Sequence, residues 1–400
     1  MKNAYIYDGG RTAFGRHGGA LSSLRPDDML AHVIKTLISR NNFDLNDYED
    51  VIAGCTNQAG EDSRNVARFA GLLSGLPMET GGITVNRLCG SSLAAAADAA
   101  RCVKTDEGSL FVACGVEAMS RAPLVLSKAQ SAFDRQQVIA DTTMGARFSN
   151  PKHLEAFGAH SMPETADNIA HDLGITREES DTFALASQMK YEAARKSGYY
   201  KDEILPITVN MGRKKGDVIV DEDEHPRANS DMASLQKLRA LFPDGVVTAG
   251  NASGINDGAS ALLIGDEAIG EKAGIKPRAR IVSSAIVGVP PRVMGLGPVG
   301  ATRKALERAN LTLNDLDVME FNEAFATQAL GCMNQLGIAY DDPRVNPNGG
   351  AIAIGHPLGA SGARILWAAV RQLERSNGRY GLATMCIGIG QGIAAVVERV

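Results

Sequence analysis

Four segments set side chains of catalytic type where the backbone can use them. The first is Val85-Asn86-Arg87-Leu88-Cys89-Gly90-Ser91-Ser92-Leu93, followed by an alanine-rich stretch to about Val103. Thr84 and Val85 end an apolar, strand-like run, so Cys89 is expected at a strand-to-helix turn. A helix N-terminus offers free N–H groups and the positive end of the dipole, and thiolate rather than thiol is the attacking form. The setting predicts a lowered Cys89 pKa and a nucleophile; the competing reading is a buried structural cysteine. The second segment runs from Asn346 to Gly362 and surrounds His356 and Pro357 with glycines before another helix. Glycine permits close backbone approach, and an imidazole there could take a thiol proton, or be structural. The third, Gly381 to Gly392, carries Cys386 from an apolar strand into a glycine turn, as a second reactive thiol or a core cysteine. In the fourth, Glu320-Phe321-Asn322-Glu323-Ala324-Phe325-Ala326, two polar groups stand between apolar neighbours. Burial would demand partners for them, unless Asn322 caps a helix.

The elements that must position these residues are duplicated. Leu45-Asn46-Asp47 recurs as Leu313-Asn314-Asp315, each copy after a helix-like segment (28–40 and 301–309) and before an apolar strand. Ser91, Arg101, Gly108 and Ala113 recur as Ser361, Arg371, Gly378 and Ala383 at nearly the same offset. Both read turn, small-residue helix, glycine turn, strand, which predicts two copies of one α/β unit with mainly parallel or mixed sheets. A region richer in charge, about 120–250, separates the copies. It is expected to hold helices at 164–173 and 177–197 and a hairpin over 204–220 turning at Lys215-Gly216-Asp217. Gly295-Leu296-Gly297-Pro298-Val299-Gly300 fits a nucleotide-type glycine pattern, but Pro298 marks it as a helix entry.

Composition narrows the function. The chain has 400 residues, 44% hydrophobic and 22% charged, with a net charge of −5. That suffices for two or three domains at roughly 100–200 residues each and disfavours a nucleic-acid binder. The basic run Arg213-Lys214-Lys215 reads as a solvated turn. The six cysteines form no C-x-x-C pair, so neither a disulfide scaffold nor a metal site is expected. Cys55, Cys102, Cys114 and Cys332 read as packing residues. The N-terminus resembles a strand rather than a signal peptide, no apolar stretch approaches a membrane span, and the last residues are no peroxisomal address. A reducing, cytoplasmic location is expected.

Taken together and in this order, the four segments resemble the thiolase family over essentially the whole chain. The resemblance implies a duplicated αβαβα five-layer core with an inserted loop domain: residues 1–119, completed by 251–271, as the N-terminal half, 120–250 as the loop domain, and 272–400 as the C-terminal half. It implies Cys89 as the acyl-accepting nucleophile, His356 as its activator and Cys386 as acid/base at the substrate α-carbon. Asn322 would hold a water that forms one oxyanion hole with His356; the N–H groups of Cys89 and Gly388 would form the other. Coenzyme A, a co-substrate rather than a resident cofactor, would lie near Arg227, Ser234, Ser253 and Met162. Acyl-CoA substrates and a homo-oligomer, dimer or tetramer, are expected partners.

Segments 58–68, 117–123, 160–166 and 291–295 resemble the 3-oxoadipyl-CoA branch, which forms succinyl-CoA and acetyl-CoA; Pro226 and Ala228-Asn229 depart from its pattern around Arg227. Acetyl-CoA acetyltransferases, fatty-acid 3-oxoacyl-CoA thiolases, decarboxylating condensing enzymes and non-catalytic acyl-CoA-binding relatives are the alternatives. Arg64, Arg68, Arg121 and Lys128 are candidate partners for a substrate carboxylate, or members of structural ion pairs.

Overall fold

The computed structural model describes residues 2–400. Its central sheet consists of two halves of one design. In the first, β1 (Tyr5–Arg11), β2 (Tyr48–Gly54), β3 (Gly81–Val85), β4 (Leu110–Ala118) and β5 (Asn256–Gly265) lie in the order β3-β2-β4-β5-β1. β2 is parallel to β3 and β4, whereas β5 is antiparallel to β4 and β1. In the second half, β6 (Ala279–Gly288), β7 (Val318–Phe321), β8 (Tyr380–Ile387) and β9 (Gln391–Arg399) lie in the order β7-β8-β9-β6. β7 and β8 are parallel and the other pairs antiparallel. Val345 makes a parallel bridge to Met319 where the first half has β3. Even an irregularity is repeated: the register slips between Ile6 and Asp8 in β1 and between Ile281 and Ser283 in β6. The halves join where Tyr5 and Ile6 pair with Arg280 and Ala279.

Six helices build the remaining layers: α1 (Pro26–Arg40), α2 (Val66–Ser74), α3 (Ser91–Thr105), α4 (Gly297–Ala309), α5 (Ala326–Leu336) and α6 (Leu358–Ser376). One apolar cluster packs α1 and α2 on the first half, a second fills the space around α3 and α6, and a third packs α4 and α5 on the second half. The central pair is close because its residues are small. Ser92 Oγ accepts the Ala363 N–H at 2.9 Å, and a Cβ on Gly362 would lie 2.3 Å from the Leu93 nitrogen. Strands enclosed on both faces read as mainly apolar runs, and every residue of β4 and β5 is buried.

Between β4 and β5 lie helices Met162–Leu173 and Arg177–Lys196 and the hairpins Leu124–Leu126/Ile139–Asp141 and Ile207–Asn210/Asp217–Val220. The first helix begins earlier than its apolar pattern suggests, because Ser161 and Glu164 form a capping box around Met162 and Pro163. The Arg213-Lys214-Lys215 run is an exposed turn between Gly212 and Gly216, both at positive φ. Arg11 of β1 ties this region to the core: its buried guanidinium bonds Glu203 Oε1 at 2.5 Å and Asp223 Oδ2 at 2.9 Å. No described helix is long and apolar enough to cross a membrane.

Candidate active site

Cys89 stands on a tight turn between β3 and α3. Leu88, immediately before it, has φ 46, a left-handed conformation that is costly for a branched residue. The turn is held by Ser91, whose hydroxyl donates to the Leu88 carbonyl at 2.6 Å and accepts the Arg87 N–H at 2.9 Å. Asn86 Oδ1 accepts the Leu88 N–H at 2.9 Å. The half-buried Cys89 sulfur is met by two amides, its own and that of Gly388 beyond β8.

The expected lowering of the Cys89 pKa is corrected by this arrangement. Burial among apolar neighbours such as Val85 and Leu88 pushes the thiol up to about 11, against the pull of the two amides, and the Glu117 carboxylate adds to the rise. Desolvation of a thiolate outweighs a helix terminus here. Cys89 therefore rests as a thiol, and a nucleophilic role would require it to lose its proton during attack.

His356 is 4% exposed and has the environment of a base. Its N–H donates to Asn256 Oδ1 at 2.8 Å, and its Nδ1 lies 2.6 Å from Ser361 Oγ. The Ser361 hydroxyl donates to the Pro357 carbonyl at 2.9 Å. Its oxygen must then accept from Nδ1–H, which leaves Nε2 unprotonated. Nε2 faces Asn322 Nδ2 at 3.3 Å. Burial, reinforced by the Arg364 charge, pushes the imidazole down to about 3, so it is neutral near pH 7.

Asn322 does not cap a helix: α5 starts at Ala326, with Phe325 at its cap position. Asn322 is fully buried, its N–H donates to the Thr384 carbonyl at 3.0 Å, and its amide oxygen has no partner among the described residues. The adjacent Glu323 is structural. Its carboxylate accepts from Asn346 Nδ2 at 2.6 Å, Ser187 Oγ at 2.7 Å and the Ile352 N–H at 3.1 Å. A Cβ on Gly350 would strike that carboxylate, which accounts for part of the glycine-rich pattern before His356.

Cys386, 1% exposed, packs with Ala324, Phe325, Met294 and Ala166. Burial raises its pKa, and the nearby Cys89 and Cys332 sulfurs raise it further. Cys55, Cys114 and Cys332 are buried packing residues, and Cys102 is half-buried. His356, Asn322, Cys386 and Gly388 come from the second half and Cys89 from the first, so the cluster forms only where the halves meet.

Of the expected coenzyme A residues, Met162 and Ser253 border this cluster, whereas Arg227 and Ser234 lie on the exposed surface. Met162 Sδ approaches Gly388, where a Cβ would lie 3.7 Å away. The Ser253 N–H donates to Ala324 at 2.9 Å. His225 packs on Gly254, and the exposed Arg227 follows, its N–H donating to Gln188 Oε1 at 2.9 Å. Ser234 is exposed, with its hydroxyl bonded to the Asp231 carbonyl in a helix cap. Of the four candidate cations, Arg121 pairs with Glu61, and Arg68 bonds the carbonyls of Met78 and Thr80. Arg64 and Lys128 are exposed and form no ion pair among the described residues.

A thiol, a neutral imidazole with a free Nε2, a second thiol and inward amides can together transfer an acyl group and move a proton at carbon. The chain belongs to the thiolase family, and is thus an acyltransferase: residues 4–268 match the family model Thiolase, N-terminal domain, and residues 275–399 match Thiolase, C-terminal domain. It is 55% identical over 403 residues to a beta-ketoadipyl-CoA thiolase of Acinetobacter baylyi, covering 100% of both chains. It is 56% identical over 403 residues to a 3-oxoadipyl-CoA/3-oxo-5,6-dehydrosuberyl-CoA thiolase of Escherichia coli, again covering 100% of both. Among solved structures, human mitochondrial 3-ketoacyl-CoA thiolase in complex with CoA superimposes with a TM-score of 0.92 at 37% identity, covering 100% of this chain and 98% of that one.

Sequence reasoning missed Glu117, Asn256 and the role of Ser361. Ser361 was visible only as the counterpart of Ser91; the duplication was its one signal. Glu117 and Asn256 both lie in wholly buried strands; Glu117 leaves the trace of a lone polar residue in an apolar run, and Asn256 opens its strand beside Asp257.

Proposed function

We propose that this thiolase cleaves 3-oxoadipyl-CoA with coenzyme A to succinyl-CoA and acetyl-CoA. The mechanism is supported by the Gly388 amide near the Cys89 sulfur, a second thiol, Cys386, near that sulfur, and a base of defined tautomer beside Asn322. The substrate reading rests on full-length similarity to relatives bearing that activity in their names.

In the proposed reaction Cys89 attacks the 3-oxo carbon while its proton passes to His356 Nε2. The Cys89 and Gly388 amides receive the resulting oxyanion; such donors are typically worth about 2.7–4 kcal/mol each. The C2–C3 bond breaks, and its electron pair forms the acetyl-CoA enolate. Its oxygen is stabilised by protonated His356 and a water on Asn322, and its carbon is protonated by Cys386. Succinyl-Cys89 remains. Coenzyme A gives its thiol proton to Cys386 and attacks the acyl carbon; the C–S bond to Cys89 breaks, the departing thiolate retakes its proton from His356, and succinyl-CoA leaves, which closes a ping-pong cycle. Arg227, Ser234, Ser253 and Met162 are assigned to the coenzyme A path, and the exposed Arg64 and Lys128 are the candidates for the distal carboxylate.

The same reading divides the chain into halves 1–119 with 251–271 and 272–400, around a loop domain at 120–250. All six cysteines are free thiols, in keeping with a reducing, cytoplasmic setting. A second copy of the chain is proposed against β3, an edge strand beside the exposed Phe69, Leu73, Met78 and Ile83; such an edge invites pairing. A monomer mass in solution would reject this assembly.

Thiolysis rates decide the substrate. 3-Oxoadipyl-CoA is expected to exceed acetoacetyl-CoA and a long-chain 3-oxoacyl-CoA in kcat/KM. Equal or faster cleavage of the unsubstituted chains would reject the dicarboxylate reading and favour a fatty-acid or acetoacetyl-CoA thiolase.

A further inference from the structure

Glu117 is a buried acid with no part in the steps above. It lies near the end of β4 and is 2% exposed. Oε1 accepts the Asn57 N–H at 3.1 Å, and Oε2 accepts the Thr56 N–H at 3.1 Å and the Gly359 N–H at 2.9 Å. Two of these donors belong to the loop after β2; the third belongs to the first turn of α6, three residues beyond His356. The fit is tight. A Cβ on Gly359 would lie 2.3 Å from the Val116 carbonyl oxygen and 3.1 Å from Glu117 Oε2.

Duplication explains why a carboxylate stands here. Each central helix begins against the strand end of the opposite half. The α3 turn bearing Cys89 meets the turn after β8, with the Gly388 amide on the sulfur. The α6 turn following His356 meets the end of β4, with its amide on Glu117. The second crossing thus joins the halves through a charge-assisted bond to a helix terminus, the kind of acceptor such a terminus favours. Cys55 and Asp62 place ligand-type atoms within 4.8 Å of this carboxylate. A cation there would face the amide hydrogens that converge on Glu117, so the cluster is better suited to an anion held by amides than to a metal.

We propose that Glu117 is a positioning residue for the thiolase reaction: its ionised carboxylate fixes the His356 turn against the loop after β2, whose Thr56 carbonyl accepts from Asn86 of the Cys89 turn at 3.0 Å, and protonation loosens that fit. The inference rests on the thiolase reading above. The ionisable groups facing Glu117 are Cys55 and Asp62 from the loop after β2 and Cys89 from the start of α3; α6 contributes the amide and neutral His356. Burial, with Asp62 adding to it, places Glu117 at about 7. Cys89 at about 11 and His356 at about 3 hold their protonation states around neutrality. Glu320, at about 8, is another buried acid in range.

The experiment measures the rate of Cys89 acylation by acetyl-CoA against pH, read by intact-protein mass. The wild-type rate should fall as pH drops through about 7. Glu117→Gln, which cannot offer two acceptor oxygens, should be slower by about 10–100-fold above that pH, the scale of a lost charge-assisted bond, and should lack the inflection. Glu117→Asp keeps a titrating group and should retain an inflection displaced from the wild-type pH; it also serves if the glutamine variant does not fold. Glu320→Gln should leave the inflection in place. An unchanged inflection in Glu117→Gln, its absence from the wild type, or its loss in Glu320→Gln would overturn the inference while leaving the thiolase reading intact. No acyl-Cys89 in wild type at any pH would overturn both.

Discussion

At the scale of single residues, the balance between burial and hydrogen bonding decides what each group can do. Cys89 is held as a thiol by burial and His356 as a neutral base by the same cause, so neither is charged at rest. In the proposed reaction, activation then belongs to the moment of attack, when the Cys89 and Gly388 amides would receive the oxyanion. Cys89→Ala should take up no acyl mass from acetyl-CoA; an acylated variant would move the nucleophile elsewhere. Cys386→Ala should still be acylated at Cys89 but fail to form a carbon–carbon bond from two acetyl-CoA molecules; normal condensation would remove Cys386 from the proton transfer. Ser361 fixes the His356 tautomer through a 2.6 Å bond to Nδ1. Ser361→Ala frees that nitrogen and should slow acylation about 10–100-fold, on the scale of one buried hydrogen bond in a site of this kind. An unaltered rate would show that the tautomer is set by something other than Ser361.

At the scale of elements, the central helices work as a pair. Their amino ends carry the reactive turns, and their closeness sets the distance between those turns. The alanines of α3 and the glycines opening α6 are the means: a larger residue on either side would wedge the layers apart. Gly362→Ala brings a Cβ to 2.3 Å from the Leu93 backbone nitrogen, an atom that cannot swing away. Overpacking of this sort costs about 1–3 kcal/mol, so the urea midpoint should fall and acylation slow with it. An unchanged midpoint would mean that the helices part without cost. The expected internal repeat is borne out at this scale. The Leu45–Asp47 and Leu313–Asp315 turns, α3 and α6, and β4 and β8 occupy corresponding places. The start of α1 was less legible, since it begins before the expected residue 28, at a proline that suits a first turn; the helix entry read at Pro298 is where α4 begins.

At the scale of the molecule, the cost of burying charge in the interior makes stability depend on pH. Glu320 is 1% exposed, 3.6 Å from Arg364, and pushed up from 4.5 to about 8 by burial, with Arg364 opposing the rise. Its folded-state pKa is raised, so between those values the folded chain holds a proton that the unfolded chain has released. Stability from this group therefore falls as pH rises from 4.5 to about 8. Glu320→Gln removes the effect. The melting temperature of the variant relative to wild type should climb from pH 5 to pH 8; a difference independent of pH would show that Glu320 ionises freely. His356 has the opposite sign. Its folded pKa lies below the ordinary 6.5, so stability is lost as pH falls from 6.5 toward 3.

The chain's order of residues was enough to determine that a thiol sits at a strand-to-helix turn, that a histidine and a second thiol sit in glycine-rich turns, and that one α/β unit occurs twice. Those features are local or periodic, and spacing encodes them. The direction of the Cys89 pKa, the free nitrogen of His356, the structural duty of Glu323 and the bonds of Glu117 were decided only by tertiary structure. Each depends on how much water is excluded and on which amides face a side chain, and both follow from packing segments far apart in the chain. Glu117 and Gly359 are a case in point: nothing near either residue in sequence announces that the carboxylate of one half will hold the helix of the other.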